Sequence, residues 1–345
     1  MTEERRRRAT VHDVAEAAGV SLATVDRVLN GRPGVRQATI DKVEAAIAGI
    51  GFQRDLNASL MARARELRVV FIIPDGANDF MASLAAAVEG RVGPALADRM
   101  HILLQRVPAL DAAALAASLD ALTPGTADCA VVVASEEPGV LAAVDSASRR
   151  GIAVLTLVSD LPGTQRRGFI GIDNLAAGRT AASLFGRFLP QGGSVAVIAG
   201  ALQLHDHRDR LAGFRAGLGG EFPGVTVLGP YEGHDDPAQT SDIVTRLLST
   251  HRDLAGIYNL GAGNAGLVAA LQAAGRQSLR VIAHELTQPT RQGLLSGVVD
   301  VVLDQNPEGE IRAAIAAARQ LALGGTGPPA IEPIEIGIFL RDNLR

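Results

Sequence analysis

From Leu67 onward the chain repeats one pattern. Short apolar runs, at 69–73, 101–104, 129–133, 152–158, 168–172, 194–199, 224–228, 254–259, 279–283 and 298–303, alternate with Ala- and Leu-rich stretches of helical period. No other feature constrains the fold as much. A strand that is apolar at consecutive positions is buried on both faces, and a strand–helix–strand order covers both faces of a parallel sheet. Ten such runs exceed what one twisted sheet holds comfortably, so the pattern predicts two doubly wound α/β lobes. In such sheets ligands bind beyond the carboxyl ends of the strands. Two lobes facing each other place that site in an interlobe cleft.

The first 65 residues break the pattern and read as three short helices without strands. Thr10-Val-His-Asp13 is a helix-start signal close to a capping box, and the helix runs to Ala18, where Gly19 ends it. Ser21 caps a second helix from Leu22 to about Asn30, broken by Gly31-Arg-Pro-Gly34. A third, about Gln37 to Ile50, presents Ile40, Val43 and Ile47 at helical spacing. Helix, three-residue turn with glycine, helix and a supporting third helix is the sequence form of a helix-turn-helix. Val14, Ala15, Ala18, Val20, Val25 and Val28 supply its inward face, leaving Leu22, Ala23, Thr24, Asp26, Arg27 and Asn30 outward on the second helix. Charge follows the same division: residues 1–65 carry 11 Lys and Arg against 8 Asp and Glu, the remainder 22 against 29. A small basic head on a larger acidic body implies a polyanion-binding module joined to something else.

Residues 10–52, TVHDVAEAAGVSLATVDRVLNGRPGVRQATIDKVEAAIAGIGF, closely resemble the DNA-binding head of the LacI family of transcriptional regulators, without a gap through both helices. The family's hinge pattern follows as Ala58-Ser-Leu-Met61-Ala62, and the rest looks like the family's periplasmic-binding-protein-like effector domain. The resemblance implies a head at 1–56, a hinge at 57–66 and an effector-binding, dimerising body at 67–345. It implies DNA contacts from Thr10, Ser21, Leu22, Ala23, Thr24, Asp26, Arg27 and Asn30, with Leu60 or Met61 as a minor-groove wedge. Two departures stand out. Asp26 replaces the family's usual Ser in the recognition helix, where an acid can accept from a cytosine amino group. Met61 replaces the wedge Leu. In the body, HDHRDRLAGF resembles the segment whose Arg, here Arg210, holds sugar hydroxyls or a carboxylate, and VIAHEL resembles the strand end whose acid, here Glu285, accepts from ligand hydroxyls. Asn78 and Phe80 after the first strand, and Ser159 and Asp160 after the fourth, occupy positions the family uses for ligand.

Other readings compete. Gly261-Ala-Gly263-Asn-Ala-Gly266 follows a strand, opens a helix and precedes Glu285 by nineteen residues, as a dinucleotide fingerprint would, and is the best case for an NAD-dependent oxidoreductase. Such units usually head a nucleotide domain, however, and the same turn suits a sugar site, with Asn259 or Asn264 offering an amide. His205, Asp206 and His207 hint at metal, but two His at i, i+2 do not face one ion on a helix. Asp173 is explained as a helix cap. The single Cys129, inside an apolar run, reads as a small core residue. No Gly-x-Ser-x-Gly elbow or Cys/His pair argues for an enzyme. The charged start MTEERRRRAT has no apolar segment of a secretory signal, which opposes a secreted sugar-binding protein, and no run approaches a membrane span. The expectation is a cytoplasmic, homodimeric regulator, a repressor reading a pseudo-palindromic operator, controlled by a small sugar or polyol, with no cofactor or metal. The end at DNLR345 lacks an apolar heptad repeat, so dimers are expected rather than tetramers.

Overall fold

The computed structural model describes residues 9–29, 34–50, 52, 66–275, 278–322 and 327–344. Asn30 of the recognition helix and the hinge positions Leu60 and Met61 lie outside the described residues.

The head forms α1 (Val11–Ala18), α2 (Leu22–Leu29) and α3 (Gln37–Ile50). Each boundary has its local cause. Asp13 N–H donates to Thr10 Oγ1 (3.3 Å) while Asp13 Oδ2 accepts from Thr10 N–H (2.6 Å), a complete capping box. Gly19 closes α1 at φ 64°, a left-handed turn that glycine adopts without a Cβ penalty. Ser21 Oγ then accepts from Thr24 N–H at 3.2 Å. Val14, Ala15, Val25, Val43 and Phe52 make the small core, with Ala18, Val20, Val28 and Ile47 packed on it. Ile40, expected on the same face, is only half-buried.

The body consists of two sheets. The first has order β2-β1-β3-β4-β5: β1 (Leu67–Asp75), β2 (Met100–Pro108), β3 (Cys129–Val132), β4 (Ala153–Leu157) and β5 (Gly168–Ile170), all parallel. Helices α4 (Asp79–Ala97), α5 (Ala112–Ala121) and α6 (Pro138–Arg149) connect them. The second sheet has order β11-β10-β9-β8-β6-β7: β6 (Gly193–Ala199), β7 (Val225–Glu232), β8 (Leu254–Asn259), β9 (Arg280–His284), β10 (Val301–Asp304) and β11 (Gly337–Phe339). It is flanked by α7 (Asn174–Phe188), α8 (His205–Glu221), α9 (Pro237–Thr250), α10 (Asn264–Ala274) and α11 (Gln288–Ser296).

Strand alternation fills a core on each face, as continuous apolar runs require. In β1, Val69, Phe71 and Ile73 enter one core and Val70 and Ile72 the other. In β6, Val195, Val197 and Ala199 face one side and Ala196 and Ile198 the other. Cys129 is buried in the first core, which pushes its thiol up to about 12 and leaves it inert.

Two features depart from the sequence pattern. α12 (Pro307–Ala322) follows the last parallel strand of the second sheet, yet Ile311, Ala314, Ala317 and Ala318 pack into the core of the first lobe. The edge strand β11 then pairs antiparallel with β10. The lobes are thus joined by crossings at 170–174 and 304–307 and by the return to Gly337. Such interlobe crossings are the segments about which two lobes can close.

Candidate functional site

The carboxyl ends of both sheets face one cleft. From the first lobe come Asn78 and Phe80 after β1, Val133 after β3, and Val158 and Ser159 after β4. From the second come Asp206, His207 and Arg210 on α8, Asp235 after β7, Glu285 after β9 and Gln305 after β10; together they line a narrow cavity of about 30 Å³. Val158 (φ 66°) and Glu285 (φ 69°) both lie in the left-handed region, which is unusual for a β-branched residue above all. Backbone strain of this sort clusters where a site needs a side chain aimed against the run of its strand.

Among the described residues Arg210 is the largest fully buried side chain. Its Nε donates to Asn174 Oδ1 at 2.8 Å and its Nη1 to the Leu260 carbonyl at 2.8 Å, which fixes the guanidinium plane. Asp206 Oδ2 lies 3.7 Å from Nη2 and Glu285 Oε1 3.6 Å from Nη1. The helix carrying it sits unusually close to α7: a Cβ on Gly178 would collide with the Arg210 carbonyl, and one on Gly213 with the Leu175 carbonyl. Two glycines therefore set the depth at which Arg210 enters the cleft.

The other carboxylates around Arg210 are strained electrostatically. Burial raises Glu285 to about 8 despite the nearby guanidinium, so it is largely protonated at neutral pH. Its Oε1 accepts from Gln305 Nε2 at 2.7 Å. Glu310 on α12, wholly buried, is held well above the usual carboxylate range by desolvation and by Glu285. His284 is held well below its usual value by burial, and its Nε2 meets the Tyr258 hydroxyl at 2.8 Å. Among the described residues, Arg210 Nη2, Asp206 Oδ1, Glu285 Oε2 and Gln305 Oε1 are buried without a hydrogen-bond partner. Two donors, Arg210 Nη2 and the protonated Glu285 Oε2, and two acceptors, Asp206 Oδ1 and Gln305 Oε1, thus converge on the cavity.

The lobes also bond each other directly. Asn78 accepts at Oδ1 from Phe80 and Met81 N–H, capping α4, and donates from Nδ2 to Asp235 Oδ2 across the cleft at 3.1 Å. Ser159 Oγ accepts from His205 N–H at 3.0 Å, so a free N–H at the start of α8 is satisfied from the opposite lobe. Glu136 after β3 joins His205 Nδ1 at 2.9 Å and Arg208.

The sequence-based site separates into groups. Arg210, Glu285, Asn78, Phe80 and Ser159 line the cavity. Asp160 does not: Thr156 Oγ1 (2.8 Å), Leu161 N–H (2.8 Å) and Arg166 hold its carboxylate within the first lobe. Asn259 and Asn264 bond each other at 2.8 Å, and Asn264 Nδ2 donates to the His284 carbonyl, so they brace the floor behind Glu285. Asp206 and His207, cleft or surface polar residues in the sequence, also line the cavity, and Asp235 and Gln305 join them unforeseen; the i, i+4 spacing of Asp206 and Arg210 is a signal that singles out the first. His205 and His207 point to different partners, His207 Nδ1 meeting the Ala201 carbonyl at 3.1 Å. Asp173 caps α7 through Ala176 N–H at 2.8 Å.

The glycine fingerprint is used for packing. A Cβ on Gly266 would collide with the Pro237 carbonyl, on Gly263 with the Thr240 hydroxyl and on Gly261 with the Gly200 N–H. The space over this turn is taken by neighbouring backbone instead of being shaped for a pyrophosphate.

In the head, α2 turns Ser21, Leu22, Ala23, Asp26 and Arg27 to solvent, with Thr24 half-buried and Leu22 42 % exposed. Leu22 opens the helix and Arg27 lies in its last turn.

These features define a two-lobed binding protein with a helix-turn-helix head. Residues 69–326 match the periplasmic binding protein domain, and residues 10–55 match the bacterial regulatory proteins of the lacI family. The chain belongs to the periplasmic binding protein domain family, and its head carries a domain of the lacI family of bacterial regulators. Catabolite control protein A of Priestia megaterium is 42% identical over 80 residues, 23% of this chain and 24% of its own length. The maltose regulon regulatory protein MalI of Escherichia coli (strain K12) is 35% identical over 112 residues, 28% of this chain and 33% of its own. The match therefore spans a quarter to a third of these relatives. Among solved structures, an ABC transporter solute binding protein from Burkholderia graminis C4D1M in complex with D-arabinose aligns with TM-score 0.75 and 25% identity, over 81% of this chain and 97% of that one. GanP, a glucose-galactose binding protein from Geobacillus stearothermophilus, aligns with TM-score 0.72 and 18% identity, over 81% and 99%.

Proposed function

We propose that this chain is a sequence-specific DNA-binding repressor whose hold on its operator is set by a small sugar or polyol bound between the lobes. One observation carries the ligand class: the buried polar atoms without partners that line the cavity are two acceptors, Asp206 Oδ1 and Gln305 Oε1, and two donors, Arg210 Nη2 and Glu285 Oε2 with its proton. Each unsatisfied buried group costs roughly 1–3 kcal/mol, which a ligand of matching pattern recovers. A polyhydroxylated ring offers O–H donors to the acceptors and lone pairs to Arg210 and Glu285. Asn78, Phe80, Ser159, Arg210 and Glu285 are the contacts we assign, with Asp206 and Gln305 added; Asn259 and Asn264 act from behind.

In the head, Ser21 and Thr24 at the start of α2 reach phosphate, while Leu22, Ala23, Asp26 and Arg27 reach base edges, with Arg27 suited to guanine. Two copies on a two-fold axis read a pseudo-palindrome, and the hinge at 57–66 passes between head and body. Leu103, 60 % exposed on edge strand β2, is available to the pairing of bodies. Ligand closing the lobes about their crossings shifts the bodies and hence the hinges. This places the protein with DNA in the cytoplasm, and gives it no catalytic task.

A thermal-shift screen of the full chain against sugars, polyols and purines tests the ligand class. A ligand at 100 times its dissociation constant adds about 2.7 kcal/mol of stability. Stabilisation by purines alone, with none by any polyhydroxyl compound, would overturn the reading.

A further inference from the structure

The polar cavity around Arg210 adjoins a second, larger chamber. It has a volume of about 190 Å³ and shares Asn78, Met81, Val133, Leu204 and Asp235 with the cavity, and a molecule reaching from one to the other displaces the 3.1 Å bond between Asn78 and Asp235. Its walls are aliphatic: Pro74, Val107, Leu110 and Leu115 from the first lobe extend the shared Val133, and Leu204 faces them from the second. A ligand consisting of hydroxyls alone would leave this surface wet.

The chamber's polar rim is already engaged. Asp75 pairs with Arg106 at 3.3 Å, Asp111 caps α5 through Ala114 N–H at 2.9 Å, and Asp236 caps α9 through Gln239 N–H at 2.8 Å. Asp235 accepts from Asn78 and, at 2.8 Å, from Ala262 N–H. Four carboxylates and no Lys or Arg border the space, which disfavours a phosphate, sulfate or carboxylate there. A nucleobase fits poorly as well, because its polar edge would meet aliphatic walls.

We infer that the effector is an uncharged glycoside or similar sugar derivative, with its hydroxylated ring at Arg210 and an aliphatic substituent in the 190 Å³ chamber. This rests on the sugar reading above and narrows it: the substituent, as much as the ring, determines affinity. Each buried methylene contributes about 0.8 kcal/mol, or roughly fourfold in affinity.

The test is calorimetric titration of the full chain with free D-arabinose, D-galactose and D-glucose, their methyl and n-butyl glycosides, and their phosphates. For at least one sugar, n-butyl should bind at least tenfold more tightly than methyl, approaching about 60-fold if all three added methylenes are buried. Sugar phosphates should bind no better than free sugars. Ala109→Phe, which projects a ring into the chamber from its exposed rim, should reduce the butyl-to-methyl ratio to near one while the free sugar still binds. Should that variant fail to fold, the chain-length series on the unaltered protein decides alone. Free sugars binding as tightly as their butyl glycosides would overturn the chamber and leave the sugar reading intact. No binding by any sugar or glycoside would overturn both.

Discussion

Replacing Arg210 with methionine removes the charge and the donors while keeping most of the buried volume. The substitution leaves Asn174 Oδ1 and the Leu260 carbonyl without the donors now 2.8 Å away. Each stranded buried acceptor costs roughly 1–3 kcal/mol. Asp206 and Glu285, both about 4 % exposed, also lose the guanidinium beside them. Glu285 adapts by keeping its proton, since burial already holds it at about 8, so the electrostatic loss falls mainly on Asp206. Breaking a buried pair typically costs about 3–5 kcal/mol, and we expect a total in that range, large against a whole-protein stability of about 5–15. Effector affinity should fall by about 2–3 kcal/mol, some 30- to 150-fold, as ligand oxygens lose a fixed fork of donors. Operator affinity without effector should be unchanged, because the head's core of Val14, Ala15, Val25, Val43 and Phe52 includes no cleft residue. Calorimetry with the effector, anisotropy with labelled operator and urea unfolding measure the three quantities. An effector affinity within twofold of the unaltered protein would refute the role of Arg210.

Other perturbations report on separate parts of the account. Glu285→Gln should stabilise the ligand-free protein increasingly as pH rises: the unfolded carboxyl ionises near 4.3 whereas the folded one holds its proton to about 8, so the unaltered protein loses stability across that window and the Gln variant does not. Melting curves from pH 4 to 9 giving a constant difference would show that Glu285 is not held protonated. Gly178→Ala should cost at least about 2 kcal/mol and lower effector affinity, because the added methyl collides with the Arg210 carbonyl and lifts α8 from α7; wild-type stability in urea would show that the helix contact yields cheaply. Arg27→Ala should weaken specific DNA binding by roughly 1–3 kcal/mol and random DNA much less; an equal loss on both would make Arg27 a phosphate contact.

Much of this architecture is readable from local pattern. The switch at Leu67 from helical period to alternating apolar runs marks where the sheets begin, and Thr10, Asp13, Gly19 and Ser21 place the head's helices through their caps. What the pattern lacks is connectivity in space. Nothing local marks that α12, following a second-lobe strand, packs Ile311 and Ala314 against the first lobe, because its apolar face suits either. Gly337–Phe339 is too short a run to register as a strand until β10 offers it an edge.

The site divides similarly. Arg210 and Glu285 stand in short recognisable segments, whereas Gln305 and Asp235 become visible only when strand ends are brought together. Asp160 illustrates the converse error: a carboxylate at the right strand end can be fully used by its neighbours, here Thr156, Leu161 and Arg166. The fingerprint glycines mislead because close helix packing and a phosphate cradle both demand a missing Cβ.

The central claim is that ligand between the lobes and DNA at the head are coupled through one chain. It is tested by titrating the full chain onto a labelled fragment bearing its operator, with and without a saturating effector identified by thermal shift. The account predicts a change in operator affinity of about 5- to 150-fold, corresponding to a coupling of about 1–3 kcal/mol, and the same factor in effector affinity when operator is present. Identical operator affinity in both titrations, with effector binding confirmed by calorimetry, would contradict it.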